Sequence, residues 1–250
     1  MKIVTASDAA FLPGVVALAK SLARYGYPLE LLYAGAIPSC GSEDGGSEDV
    51  RWAFRNCLVR IVDVSDSIPT NKSGGKASWA RMLIPTLYPN EERVLYLDSD
   101  IICIGDIEPL LSADLQGQPT GACRDGAMTD LAVQTLGSVP RDEPAFNSGV
   151  LLMDLQAWRK ERVTEKTFEL APILAGMGRI WSFDQACLNV AHFGGFHVLP
   201  RRFNFTLLPR WDLPPAGEAS LIHYVGRPKP WEDRTRPGSG AWWAEYEREV

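Results

Sequence analysis

The sequence predicts an α/β domain whose mostly parallel sheet is flanked by helices, and three observations predict it. Short apolar strands alternate with helical segments from residue 2 onward, at the spacing of right-handed βαβ units. Polar residues fall at the strand ends: Ser7 and Asp8, Asp98 and Asp100, Asp125, Asn147, and His223. Open α/β sheets bind ligands in the crevice beyond the carboxyl ends of their strands. Finally, no repeat, low-complexity run or Pro-rich linker divides the 250 residues, so one domain spanning 1–250 is expected.

The elements follow in order. Lys2–Ala6 is a short apolar strand that must turn at Ser7-Asp8. Leu12-Pro13-Gly14 opens a helix with Val15, Val16, Leu18, Ala19 and Leu22 on its apolar face, and Tyr25-Gly26 stops it. Leu29–Ala34 is the second strand. Ser39–Asp49, rich in glycine and acids, reads as a mobile solvated loop. A helix over Val50–Cys57 and a strand over Leu58–Val64 come next. The basic loop Asn71–Lys76 leads into a helix from Ala77 to Leu87 that carries Arg81. Val94–Leu97 is a buried strand. After Asp106–Leu111, a short helix precedes a strand around Gly121–Cys123 that ends on Arg124-Asp125. Phe146–Asp154 is an apolar strand entered through Asn147-Ser148-Gly149. Helices over Glu161–Leu174 and Phe183–Val190, a strand over Ala219–Tyr224 and a closing helix over Ala241–Glu249 complete the chain.

Composition narrows the function. The net charge of −6 argues against a nucleic-acid partner, whose phosphates demand a basic face. No stretch reaches the roughly 18–20 consecutive apolar residues of a membrane span, and no secretory apolar region precedes the first strand. The five cysteines are odd in number and scattered without a C-x-x-C, against zinc or disulfide frameworks. A cytoplasmic protein with reduced thiols is expected.

The chemistry concentrates in Tyr96–Asp106, Y-L-D-S-D-I-I-C-I-G-D. An apolar strand delivers Asp98 and Asp100 straight into a second apolar run, and carboxylates buried in pairs need a counter-charge. A divalent cation, Mn²⁺ or Mg²⁺, would supply it, and so would capping or pairing with arginine. His223 sits in I-H-Y-V-G-R-P-K-P-W, which is loop chemistry more than core. Gly226 permits close backbone approach and Lys229 offers a point charge for phosphate. A metal-bound diphosphate held by Asp98, Asp100, His223 and Lys229 would account for all four side chains together. After the first strand the chain reads T-A-S-D-A-A-F-L-P-G, without the dinucleotide G-x-G-x-x-G, and no full phosphate-binding loop is present. D-S-D-I-I also superficially matches an aspartate-nucleophile phosphohydrolase, but it lacks that pattern's threonine and lies mid-chain. A non-catalytic glycan-binding protein is a third reading, opposed by the intact D-x-D, His223 and Lys229.

Four blocks in order then carry a family resemblance: A-R-M-L-I-P with Y-L-D-S-D-I (Arg81 to Ile101), F-N-S-G-V-L-L-M-D-L-Q-A-W-R (Phe146 to Arg159), F-D-Q-A-C-L-N (Phe183 to Asn189) and H-Y-V-G-R-P-K-P-W (His223 to Trp231). Over nearly its whole length the chain resembles the retaining glycosyltransferases of the glycogenin type, family 8, which include bacterial lipooligosaccharide galactosyltransferases. The resemblance implies a glycosyltransferase-A fold with a mostly parallel, Rossmann-like mixed sheet. It also implies a UDP-hexose donor, Mn²⁺ with Mg²⁺ as the alternative, and a carbohydrate or glycolipid acceptor, with peripheral membrane contact compatible.

Carried over residue by residue, Asp98, Asp100 and His223 would be the metal ligands, and Gly226 and Lys229 would hold the diphosphate. Thr5, Ala6 and Asp8 would line the uridine pocket, with the Ser99 backbone along the ribose. Arg81 and Asp184 would engage the donor sugar, Asn147, Ser148 and Gln185 would lie nearby, and Asp125 would face the acceptor. The resemblance implies that Gln185 would stand on the face where a retaining hydrolase places its carboxylate nucleophile, and a glutamine is a poor nucleophile. Front-side attack by the acceptor hydroxyl is therefore expected, with double displacement through Asp184 or Asp125 as the alternative. Where relatives often carry an asparagine beside the uracil, this chain has Ala10. The acceptor pocket is expected in the loops Thr129–Pro144 and Arg201–Gly217, the second of which holds Trp211.

Overall fold

The computed structural model describes residues 1–35, 48–62, 76–127, 144–176, 183–193 and 195–249. The expected mobile loop up to residue 47, most of the basic loop before Ala77, and 129–143 of the expected acceptor loops lie outside the described residues.

The strands are β1 (Lys2–Ser7), β2 (Leu29–Tyr33), β3 (Leu58–Ile61), β4 (Arg93–Leu97), β5 (Ile101–Cys103), β6 (Thr120–Ala127), β7 (Pro144–Asp154), β8 (His197–Leu199), β9 (Phe205–Thr206) and β10 (Leu221–His223). Seven of them form one sheet in the order β3-β2-β1-β4-β7-β6-β8. Its pairings are parallel except those of β7, which runs antiparallel to both β4 and β6. This is the mixed, mostly parallel α/β sheet expected.

Alternate residues of the central strands face opposite sides, as the two-residue period of a strand requires. Val4, Tyr96 and Leu151 pack with Trp79, Trp158 and Phe183 on one face. Ile3, Leu31, Leu95 and Val150 pack on the other face against Leu12, Val15, Leu18 and Leu22 of helix α1 (Leu12–Ala23). The remaining strands form a small second sheet, β5-β10-β9. Its Ile102 and Ile222 bury against Tyr224 and Trp242, the latter on the closing helix Ser239–Tyr246.

Three segments depart from the sequence reading. Residues Lys76–Leu83 form a 3-10 helix, and only Ile84–Leu87 is α-helical. The expected helix over Glu161–Leu174 is Val163–Ala175, entered at Arg162 with φ 56°, and a further helix not expected from the sequence, Leu155–Lys160, precedes it. Asp154 caps this further helix by accepting from the Ala157 amide at 2.8 Å, so the end of β7 doubles as an N-cap. Glu48 and Asp49, expected in the loop, open the helix Glu48–Asn56. Strands β5, β8 and β9 were not separately legible, because two or three residues are too few for an alternating pattern to register.

Candidate functional site

The carboxylate pair sits where the two sheets meet. Beyond β4 the Asp98 amide donates to the Gly149 carbonyl at 2.7 Å, and the Tyr224 amide donates to the Asp100 carbonyl at 2.9 Å. Antiparallel pairing of β10 with β5 sets His223 opposite Ile101. Donor atoms of Asp98, Asp100 and His223 thereby lie within 4.8 Å of one another. His223 Nε2 is 3.1 Å from Asp100 Oδ1 and 3.8 Å from Asp98 Oδ2. Lys229, buried, pairs with the other Asp100 oxygen and donates to the Tyr224 carbonyl at 2.8 Å.

Burial pushes the Asp100 carboxyl upward, but Lys229 and His223 outweigh it and hold the group well below the usual carboxylate range. Asp98 goes the other way: burial raises it more than the Arg81 guanidinium lowers it, and ionised Asp100 adds to the rise. Two carboxylate oxygens and an imidazole nitrogen within 4.8 Å of one another are a donor set suited to Mn²⁺ or Mg²⁺. These three residues would hold such an ion.

Arg81, buried in the 3-10 segment, organises the adjoining wall. Its Nη2 lies 3.1 Å from both Asp98 Oδ1 and Asp184 Oδ2. Its Nη1 donates to the Ser148 carbonyl and hydroxyl at 2.5 and 2.9 Å, and the guanidinium lies over the Tyr96 ring at 4.7 Å. The phenol of Tyr96 in turn donates to Asp98 Oδ1 at 2.7 Å. Asp184 and Gln185 open the helix Phe183–Ala191. Gln185 Oε1 accepts from the Ser148 amide at 3.0 Å, and its Nε2 donates to Asp125 Oδ2 at 3.3 Å. Asn147 Nδ2 lies 3.4 Å from the same Asp125 oxygen, and Asp125 itself is exposed.

Beside the carboxylates is a cavity of about 160 Å³ lined in part by Ala6, Asp8, Ser99 and Arg81. Of the nucleotide residues expected from the sequence, Thr5 is not in that wall. It is fully buried in β1, and its Oγ1 has no hydrogen-bond partner among the described residues. Gly226 takes the left-handed φ of 73°, with the Pro209 ring 3.4 Å from where a Cβ would stand. Trp231 meets Phe11 edge-on at 5.5 Å and packs on Trp242, whereas Trp211 is 42% exposed.

Sequence reasoning missed several residues here. Phe11 and Tyr96 line the cavity, and Gly14 lets helix α1 back onto the D-x-D turn, since a Cβ there would lie 2.3 Å from the Ser99 carbonyl oxygen. Asn204, buried at 3% exposure, bridges His223 and Asn147. Its R-F-N-F context carries no periodic or motif signal that would have singled it out.

A model of the family described as glycosyl transferase family 8 matches residues 2–235. Among curated relatives, a lipopolysaccharide 1,2-glucosyltransferase of Escherichia coli strain K12 is 33% identical over 192 residues, covering 71% of this chain and 56% of the relative. A lipopolysaccharide 1,3-galactosyltransferase of Salmonella typhimurium strain LT2 is 28% identical over 188 residues, covering 70% and 55%. The chain spans about half the length of these curated relatives. The structure of the galactosyltransferase LgtC, solved with donor and acceptor sugar analogs, matches with a TM-score of 0.76 at 24% identity, over 98% of this chain and 95% of that one. Apo GlyE of Streptococcus pneumoniae TIGR4 matches with a TM-score of 0.69 at 23% identity, over 100% and 61%. Likeness at this identity establishes the fold, glycosyltransferase-A.

Proposed function

Because the chain belongs to glycosyl transferase family 8, we propose that it moves a hexose, galactose or glucose, from a UDP-sugar to a hydroxyl of a glycan or lipooligosaccharide, with retention and with Mn²⁺ (or Mg²⁺) as cofactor. The observation that carries this reading is the Asp98–Asp100–His223 cluster beside the cavity, with Lys229 behind it and Arg81, Asp184 and Gln185 on the adjoining wall. When bound, the ion would neutralise the diphosphate and make it a better leaving group.

The chain's own residues supply the rest. Lys229, a buried positive charge on Asp100, would meet the departing phosphate, and Gly226 would let the backbone come close to it. Arg81 holds Asp184 in one orientation, so that this carboxylate can accept from sugar hydroxyls. Gln185 is fixed at both amide atoms, by the Ser148 N–H and by Asp125. Its dipole is therefore held in one orientation, and it would stabilise the positive charge that grows as the glycosidic bond breaks. The acceptor hydroxyl would attack from the leaving-group side, with the departing phosphate oxygen as its base. Both oxygens of Asp100 and both of Asp98 already lie within 3.8 Å of a cationic side chain or ring nitrogen, an arrangement of ligands more than of a free phosphohydrolase nucleophile.

A cytoplasmic setting fits Cys57, Cys103, Cys123 and Cys187, which are free and buried. No helix among the described residues is long and apolar enough to cross a membrane.

A donor screen tests the proposal. UDP-galactose and UDP-glucose are supplied with Mn²⁺, with and without a lipooligosaccharide acceptor, and UDP release is followed. Turnover should require Mn²⁺ and stop in excess chelator, and Asp100→Asn should abolish it. Unchanged turnover in chelator would refute the metal, and phosphatase activity without any UDP-sugar turnover would refute the transferase.

A further inference from the structure

A short hydrogen-bond chain of fixed polarity runs from strand β7 to the imidazole. The Gly149 amide is a donor whatever the side chains do, and it lies 3.0 Å from the Asn147 side-chain oxygen. At the other end of the same side chain, Nδ2 faces Asp125 Oδ2, which can only accept. The orientation of Asn147 is therefore set at both ends. The Asn204 atom 2.9 Å from Asn147 Oδ1 must then be its NH₂, because two carbonyl oxygens would repel. That leaves the Asn204 oxygen 3.0 Å from His223 Nδ1. An amide oxygen only accepts, so Nδ1 carries the hydrogen, and in the neutral ring Nε2 carries the lone pair.

Nε2 is the atom that faces Asp100 and Asp98. A cation held between the ring and the two carboxylates would meet that lone pair. Asn147, Asn204 and His223 are 8%, 3% and 4% exposed, so water cannot repair a flipped amide, and the wrong orientation leaves buried groups unpaired. The fold also explains the two-residue strand β9. Its parallel pairing with β10, Phe205 to Ile222, clamps Asn204 beside the ring.

We propose that Asn204 is a positioning residue that selects the His223 tautomer able to ligate the cation. The inference rests on the metal-dependent reading above, and its test separates the two. Full-chain wild type, Asn204→Asp and Asn204→Leu are titrated calorimetrically with Mn²⁺ in saturating UDP. Asp keeps an acceptor for Nδ1–H but sets an oxygen against Asn147 Oδ1, whereas Leu keeps the volume and no acceptor. Leu should weaken Mn²⁺ binding by about 10- to 100-fold, and Asp should weaken it less than Leu does. A residue that merely packs would show the reverse order, and that order, or wild-type affinity in the Leu variant, would overturn the proposal.

Nitrogen NMR of the metal-free wild type supplies the second readout, with the His223 signal assigned by its loss in His223→Gln. The neutral ring should be protonated at Nδ1, and protonation at Nε2 overturns the inference even if the Leu variant fails to fold. Should the wild type bind no Mn²⁺, the metal reading falls while the spectra still decide the tautomer.

Discussion

A Cβ on Gly149 would stand 2.3 Å from Cε1 of His223 and 2.8 Å from Asp98 Oδ2. The glycine in F-N-S-G-V is the space in which the imidazole lies against strand β7, and any other residue there competes with two of the three proposed ligands.

Gly149→Ala should therefore push the ring out of the cluster. Overpacking of this kind typically costs about 1–3 kcal/mol of stability, readable from urea denaturation. Mn²⁺ affinity should fall by at least about tenfold, the lower end of what displaced ligand support costs. Unaltered Mn²⁺ binding in a folded variant would show that His223 does not ligate.

Arg81 is the single cation that touches both Asp98 and Asp184 among the described residues. Burial opposes its charge, and the two carboxylates with the Tyr96 phenol raise its pKa nonetheless. Arg81→Met would leave those acids uncompensated, a loss of about 3–5 kcal/mol for a broken buried pair. Arg81→Lys should recover only part of it, since one ammonium cannot span both carboxylates and the Ser148 carbonyl. Denaturant midpoints of the two variants check this.

Gln185 does not line the cavity beside the carboxylates, where the nucleotide is proposed to bind, so Gln185→Ala should leave UDP affinity unchanged. Turnover should drop by about 10²–10³-fold, the usual effect of deleting one preorganised dipole. Steady-state rates beside UDP calorimetry separate the two effects. A sugar adduct trapped on Asp184 would favour double displacement instead.

His192 provides a pH signature away from the site. It is 5% exposed, its Nδ1 lies 2.9 Å from the Leu188 carbonyl oxygen and its Nε2 lies 2.7 Å from the Thr120 hydroxyl. Burial lowers its pKa from 6.5 to about 4. Above pH 6.5 the ring is neutral in both folded and unfolded chains, and its contribution is complete. As pH falls from 6.5 toward 4 the unfolded chain takes up a proton that the native state refuses. Stability then declines, by up to about 3 kcal/mol. Stability curves against pH should be flatter over that window for His192→Gln, and parallel curves would exclude the assignment.

Much of this site was legible in the chain. The apolar run before Asp98 marked a strand end, and the G-R-P-K-P-W segment marked His223 as the edge of a loop. Other features had no local trace. Gly149 stood inside a quoted block as one letter among fourteen, and Gly14 read as a helix opener. Neither close approach exists until two distant segments meet. Asn204 was invisible because its partners, Asn147 and His223, are 57 and 19 residues away. The 3-10 geometry around Arg81 leaves no separate trace, because apolar spacing over so short a segment does not distinguish it from an α-helix.

From the sequence by itself follow the α/β class, the order of its elements and the polar side chains that crown the strands. These are properties of local periodicity and of where a strand must stop. Only the tertiary structure decided that β10 returns antiparallel along β5, bringing Lys229 onto an acid 129 residues earlier and His223 to 3.1 Å from the same carboxylate. A three-residue strand has too little pattern to specify its own register. That register comes from the packing of Ile102, Ile222, Tyr224 and Trp242 beneath it, which exists only once the chain has folded.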